Sequence, residues 1–256
     1  MADQLDITRS HLLADVPHGF LGRAGGVSTG DVAGLQFGQG AGDDPARVAA
    51  NRRSAIAAIQ PDAELAMPYQ VHSPDAVVVR EVWDDADRPR ADAVVTDRPG
   101  LLLGVVTADC APVLLADSQA GIVAAAHAGW RGAHGGVIES TLEMMEKLGA
   151  EASRIAAAIG PCIGQDNYEV DAPFRTHFSV EDERHFIAGR QGHWQFDLEG
   201  YVASRLQSAG IARIDPLELD TYALPDRFYS FRRATHSGAA NYGRQASLIG
   251  LPAIVA

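Results

Sequence analysis

Between residues 101 and 128 the chain is apolar in three bursts: LLLGVVT at Leu101–Thr107, PVLLAD at 112–117 and GIVAAAH at 121–127. Each is of strand length, and polar or glycine-bearing breaks separate them. Residues 118–120, Ser-Gln-Ala, supply the turn between the last two, which predicts a β-hairpin. If Asp117 faces Gly121, antiparallel counting puts His127 opposite Ala111, one residue from Cys110. Cross-strand neighbours have Cβ atoms about 5 Å apart, which suits a thiolate–imidazole pair or two ligands of one zinc ion.

The same patterning extends outwards. Val48, Ala49, Ile56 and Ile59 keep a helical period behind the Asp44 cap and Pro45, up to a stop at Gln60-Pro61. Residues 67–82 predict two strands broken at Ser73-Pro74, and 93–96 predicts another before an Arg98-Pro99-Gly100 turn. After His127, AGWRG and HGG form a glycine-rich loop. It feeds a helix marked by Val137, Ile138, Leu142, Met145 and Leu148. Residues 154–160 are strand-like, 171–196 are polar without a clear period, and Asp197 caps a helix that stops at Gly210. Strand-like stretches at 211–219 and 228–232 lead to the C-terminus. With no repeat or linker to cut at, this predicts an α+β fold of one domain over residues 1–256. Its sheets are mixed but largely antiparallel, sandwich-like, and flanked by helices.

Composition narrows the partners. The 256 residues are 46% hydrophobic and 21% charged, enough for a substantial core. Twenty-one basic against 33 acidic residues give −12, which argues against general nucleic-acid or anionic-membrane binding and favours a small-molecule partner. Asp3, Asp6 and Asp15 interrupt any signal-peptide core, and no run is long enough to span a bilayer, so a cytoplasmic protein is expected. Two cysteines, Cys110 and Cys162, make no disulfide framework.

Taken one at a time, the candidate residues have bland explanations. Cys110 suits a small buried hydrophobe, His72 an exposed strand-end histidine, and Cys162 a packing residue. Arg131 follows His127 by four residues at the entrance to a glycine-rich helix start, where an anion would be gripped. Arg23 stands in the glycine-dense segment 18–42.

Read together, QVHS around His72, TADCAPVLLAD around Cys110, AAAHAGWRGA around His127, GPCIGQDNYEV around Glu169 and FYSFRR…YGRQASLIG near the end resemble the YfiH-like, laccase-domain family of purine nucleoside phosphorylases. The family also carries the names multicopper polyphenol oxidase and peptidoglycan editing factor. The resemblance implies a zinc held by His72, Cys110 and His127, with a fourth position open as in catalytic sites. It implies phosphorolysis of adenosine, inosine, guanosine and S-methyl-5'-thioadenosine, with deamination of adenosine besides. Purine nucleosides and phosphate are then the partners. Cys110 and His127 join Glu169 and Asp109 in the catalytic set, the two carboxylates as proton carriers, while Arg23, Arg131 and Arg244 are the cations for phosphate or substrate. The chain departs from the family pattern at Asp220-Thr221, where a cysteine-threonine pair is expected, and at Tyr242 of the YGRQ motif. A copper oxidase fits less well, because none of the nine histidines stands two from another. Two more readings are compatible with these residues: a metal-free hydrolase with Cys110 as nucleophile and His127 as base, and a cell-wall quality-control factor.

Overall fold

In the computed structural model, which describes residues 4–252, the continuous apolar runs are strands buried on both faces. The chain runs β1 (Ile7–Thr8), β2 (His18–Leu21), α1 (Pro45–Ile59), β3 (Glu64–Ala66), β4 (Ala76–Val78), β5 (Ala93–Thr96), β6 (Leu101–Thr107), β7 (Ala111–Asp117), β8 (Ile122–Ala128), α2 (Trp130–Gly135) and α3 (Val137–Lys147). It continues through β9 (Ala156–Ile159), β10 (Glu169–Asp171), α4 (Ala172–Arg175), β11 (Phe186–Ala188), β12 (His193–Phe196), α5 (Leu198–Ser208), β13 (Arg213–Pro216), α6 (Phe231–Ser237) and β14 (Gln245–Gly250). One sheet has the order β1-β2-β14-β6-β3, a second β13-β9-β7-β8-β5-β4, and a small third β10-β12-β11. Among the described strands β3–β6, β4–β5 and β9–β13 pair in parallel and the rest antiparallel, so the expected α+β arrangement of mixed, largely antiparallel sheets is observed.

Period-two alternation decides which layer each side chain joins. Leu103 and Val105 of β6 meet Leu114 of β7 and Val123 and Ala125 of β8 between the two large sheets. Leu102 and Leu248 point the other way, against Ala55 and Ile59 of α1. Val113, Leu115, Ala124 and Ala126 pack under α3 and α5, on Val137, Leu142, Met145, Val202 and Leu206. The result is helix, sheet, sheet, helix. No helix among the described residues is long and apolar enough to cross a membrane.

Four local expectations change. The first half of 67–82 is not a strand, because its backbone groups bond elsewhere: the N–H groups of Val71, His72 and Ser73 go to the Asp92 carboxylate. The glycine-rich loop after His127 is largely α2, ended by Gly136 in the left-handed region at φ 103°. Residues 228–232 lead into α6, because Ser230 caps it by accepting from Arg233 N at 3.1 Å. Polar 171–196 holds the small sheet, gathered around Phe174, Phe178, Phe186 and Phe196, whose aromatics are too irregularly spaced to show a period.

The β7–β8 turn is pinned by Asp117, fully buried, which accepts from Ala120 N at 3.1 Å and Glu151 N at 3.0 Å and pairs with Arg154 at 2.9 Å. Burial raises its carboxyl, but these donors outweigh burial and hold it below the ordinary range. A depressed folded pKa means its stabilisation is complete above the unfolded value of about 3.9 and drains away as pH falls through the folded value. Asp117→Asn is expected to lose about 1–3 kcal/mol at neutral pH and to unfold less steeply with acid below pH ~4, as chemical denaturation across pH would show.

Candidate metal centre

Three segments meet at one end of the β7–β8 hairpin. His127 is the penultimate residue of β8, Cys110 directly precedes β7, and His72 lies at a bend in the segment between β3 and β4. The hairpin pairs Pro112, not Ala111, with His127. The turn takes four residues, 118–121, with Gly121 at φ 64°, one more than the sequence count allowed. The extra residue matters, since a side chain opposite Ala111 would face away from Cys110. Pairing with Pro112 places it on Cys110's side.

Cys110 Sγ lies 3.8 Å from His72 Nε2. The two imidazole rings are 4.7 Å apart and nearly perpendicular at 81°. All three donor atoms fall within 4.8 Å of one another. Ordinary zinc–sulfur and zinc–nitrogen bond lengths put tetrahedral S and N ligands about 3.6 Å apart, so this donor set fits the ion. Two imidazoles and one thiolate leave a fourth position to water or substrate.

Asp92 organises the cluster and was not recognised in the sequence. It is fully buried directly before β5. Its Oδ1 accepts from His127 Nδ1 at 2.7 Å and from His72 N at 3.0 Å; its Oδ2 accepts from Val71 N at 3.0 Å, Ser73 N at 2.7 Å and Ser73 Oγ at 3.1 Å. One carboxylate therefore fixes the His127 tautomer, leaving Nε2 as its free ring nitrogen, and clamps the backbone that carries His72. That backbone needs clamping, because His72 sits at φ 60°, a left-handed conformation costing about 1–3 kcal/mol. The available signal was an acid directly before the buried run AVVT, a position that cannot stay unpaired.

The electrostatics favour a Cys110 thiolate beside a His127 ring that holds its proton, a proton that metal binding would have to displace. Burial pushes the Cys110 thiol up, but His127 and His72 outweigh it and bring it below its ordinary value. Burial pulls His127 down, and Cys110 and Asp92 push it further up. Gly129 closes in from the β8–α2 junction: a Cβ there would stand 2.8 Å from Cys110 Sγ and 3.0 Å from His72 Cδ2. The glycine of HAGWRG is thus set by the space beside the Cys110 and His72 side chains.

The centre forms part of the wall of a cavity of about 550 Å³. Arg52, Arg88 and Arg244 also line it, with Tyr69, Phe231, Tyr242 and Thr107. Arg244 Nη1 and Thr107 Oγ1 are buried there without a protein partner. The other cations named from sequence sit elsewhere. Arg23 donates to Ala33 O and Pro225 O, both at 3.1 Å, and Arg131 is exposed on α2 with its guanidinium 4.6 Å from the Trp130 ring centre. Asp109, at φ 87°, accepts from Thr221 Oγ1 at 2.7 Å and Arg232 N at 2.6 Å. Glu169 is held bidentately by Arg190 at 2.9 Å on both oxygens. Arg52 and Arg88 were missed because one sits inside α1 and the other inside an acidic loop.

An α+β sandwich with a two-histidine, one-cysteine centre at a cavity wall has the features of a laccase-domain protein. Residues 17–252 match the family model described as multi-copper polyphenol oxidoreductase laccase, and the chain belongs to that family. It is 39% identical over 254 residues to a purine nucleoside phosphorylase of Deinococcus radiodurans, covering 98% of this chain and 95% of that protein. It is 38% identical to one of Streptomyces coelicolor, covering 86% and 91%. Among solved structures it resembles a Neisseria meningitidis protein of family DUF152, with TM-score 0.87 and 32% identity over 97% of this chain and 99% of that one. It also resembles YfiH of Bacillus licheniformis, with TM-score 0.83 and 28% identity over 93% and 94%.

Proposed function

We propose that the chain is a zinc-dependent purine nucleoside phosphorylase, acting on adenosine, inosine, guanosine and S-methyl-5'-thioadenosine, and that it also deaminates adenosine. The observation that carries this reading is the His72–Cys110–His127 donor triangle on the wall of a cavity of about 550 Å³, roomy enough for a nucleoside and phosphate together. The names of the relatives support it. Zinc supplies Lewis acidity at the open fourth position. The chain's own residues supply the rest. Asp92 holds His127 in one tautomer, and the exposed rings of Tyr69 and Phe231 offer faces on which a purine stacks. In phosphorolysis a phosphate oxygen bonds to C1′ as the C1′–N9 pair leaves with the base, which takes up a proton. In deamination water adds at C6 and ammonia departs. We assign the proton to Asp109, whose chain neighbours Ala108 and Cys110 line the cavity; Glu169 is the second candidate, and its carboxylate would have to leave Arg190 to take that part. Of Arg23, Arg131 and Arg244, we assign phosphate to Arg244, the one that lines the cavity. Free thiols at Cys110 and Cys162 suit a reducing cytoplasm.

Copper has less support, because the described residues hold one group of three or more such donors, short of the imidazole set of a multicopper centre. A second reading, a metal-free thiol hydrolase, draws on the lowered Cys110 thiol beside a raised His127. Metal analysis separates the three: about one zinc per chain is expected. Metal-defined protein incubated with a nucleoside panel should release free base and ribose 1-phosphate only when phosphate is present, and inosine from adenosine without it. Stoichiometric copper, or full turnover after zinc removal is verified, would overturn the reading.

A further inference from the structure

The cavity is charged against the trend of the molecule. In a chain of net charge −12 its wall carries three arginines and, among the described residues that line it, no aspartate or glutamate. Arg52 and Arg88 are largely covered, with side chains 19% and 15% exposed. Burial draws the Arg52 guanidinium below its usual range, and Arg88 adds to that while Asp85 opposes it. Arg52 is aimed by donating to Phe37 O at 3.1 Å from Nη2, and Arg88 by donating to Gln39 Oε1 at 2.6 Å. Arg244 lies flat against the backbone at Gly38, where a Cβ would meet its Cδ at 2.9 Å. It donates to the Tyr242 hydroxyl at 3.1 Å from Nη2 and leaves Nη1 buried and unpartnered.

The counter-ion comes from outside the wall. Asp85, on the loop between β4 and β5, places Oδ1 3.5 Å from Arg88 Nε and 4.0 Å from Arg52 Nη1, while its Oδ2 accepts from Gln39 Nε2. Its side chain is 62% exposed, so it can turn to water at small cost. A carboxylate is a poor match for two guanidiniums and an idle N–H. A phosphoryl group brings about two negative charges and three acceptor oxygens, which suits forked donors.

We propose that Arg52, Arg88 and Arg244 form a phosphoryl subsite in the cavity and that Asp85 is its resident counter-ion, displaced when a phosphoryl group enters. The proposal rests on the nucleoside-phosphorylase reading for its choice of anion. The shared chemistry is a phosphoryl dianion, which reaches the site as free phosphate or as the 5′-phosphate of a nucleotide.

The test is calorimetric titration of the intact protein with inorganic phosphate at constant ionic strength in chloride, followed by phosphate KM. Asp85→Asn removes the competitor and should tighten phosphate binding about three- to tenfold, the worth of one or two partly exposed ion pairs. Arg88→Gln should weaken it tenfold or more, and both changes should move phosphate KM while nucleoside KM stays put. Arg88 lies in a surface loop, so its variant keeps the test independent of α1 packing, and a melting curve without phosphate checks that both variants fold. AMP binding with an Arg88-dependent gain over adenosine assigns the phosphoryl group to a nucleotide; competition by phosphate with no such gain assigns free phosphate, and either supports the subsite. Phosphate affinity indifferent to both substitutions overturns it, even if nucleosides are phosphorolysed. Affinity that follows Asp85 and Arg88 in a protein that cleaves no nucleoside keeps the subsite and removes the phosphorylase reading instead.

Discussion

Asp92→Asn is expected to unfold the protein about 10 °C earlier and to weaken zinc binding at the proposed centre. The carboxylate takes five hydrogen bonds from Val71, His72, Ser73 and His127 in a fully buried position. An amide keeps one acceptor oxygen and turns the other into a donor that faces donors, a loss of about 3–5 kcal/mol. For a chain of this size that corresponds to a shift of the order stated. The same change frees the His127 tautomer and the left-handed His72 backbone, so metal affinity should fall about 10- to 100-fold. Melting curves and competitive zinc titration measure both. Asp117→Asn is the control: it also removes a buried acceptor, but at the opposite end of the hairpin from the ligands, and should leave zinc binding intact. Asp92→Asn protein with unchanged zinc affinity would show that the ligands hold themselves.

Gly129→Ala separates the centre from the fold in the opposite way. Gly129 has φ −66° and ψ 160°, which any residue adopts, so alanine brings no backbone strain. Stability should move by less than about 1 kcal/mol, since the lost unfolded-state entropy offsets a slightly poorer helix cap. The new methyl nevertheless lands 2.8 Å from Cys110 Sγ. Either the thiolate or His72 must shift by several tenths of an ångström, more than a preorganised site tolerates. A folded protein with substoichiometric zinc and at least about 100-fold lower nucleoside cleavage is expected. Full occupancy with full activity would mean that the centre lies elsewhere.

Much of the framework was legible locally. Helix α1 was readable end to end because Asp44 and Pro45 announce its start, and the Asp44 carboxylate does accept from Ala46 N at 2.8 Å. Strand β6 and the hairpin were readable because a sheet covered on both faces leaves unbroken apolar runs. Cys110 and His127 followed from the hairpin, although the register was one residue out, since a turn's length depends on whether Gly121 takes the left-handed region. By local pattern alone His72 passed for an exposed strand-end residue, and family resemblance was needed to bring it into the site. Its segment forms no strand, and its position depends on Asp92, twenty residues away.

The sequence by itself determined the α+β class and the central hairpin that brings Cys110 and His127 together, because these rest on periodicities that neighbouring residues carry, while His72 entered only through the family resemblance. Only the tertiary structure decided which carboxylate orients the donors, which arginines share their cavity and which glycine leaves them room. Those depend on contacts between segments far apart in the chain, Asp92 with His127, Arg52 with Asp85, Gly129 with His72. Hydrophobic alternation specifies the layers of a sandwich, whereas the meeting of loops at its end is set by strand register and by where buried polar groups find partners.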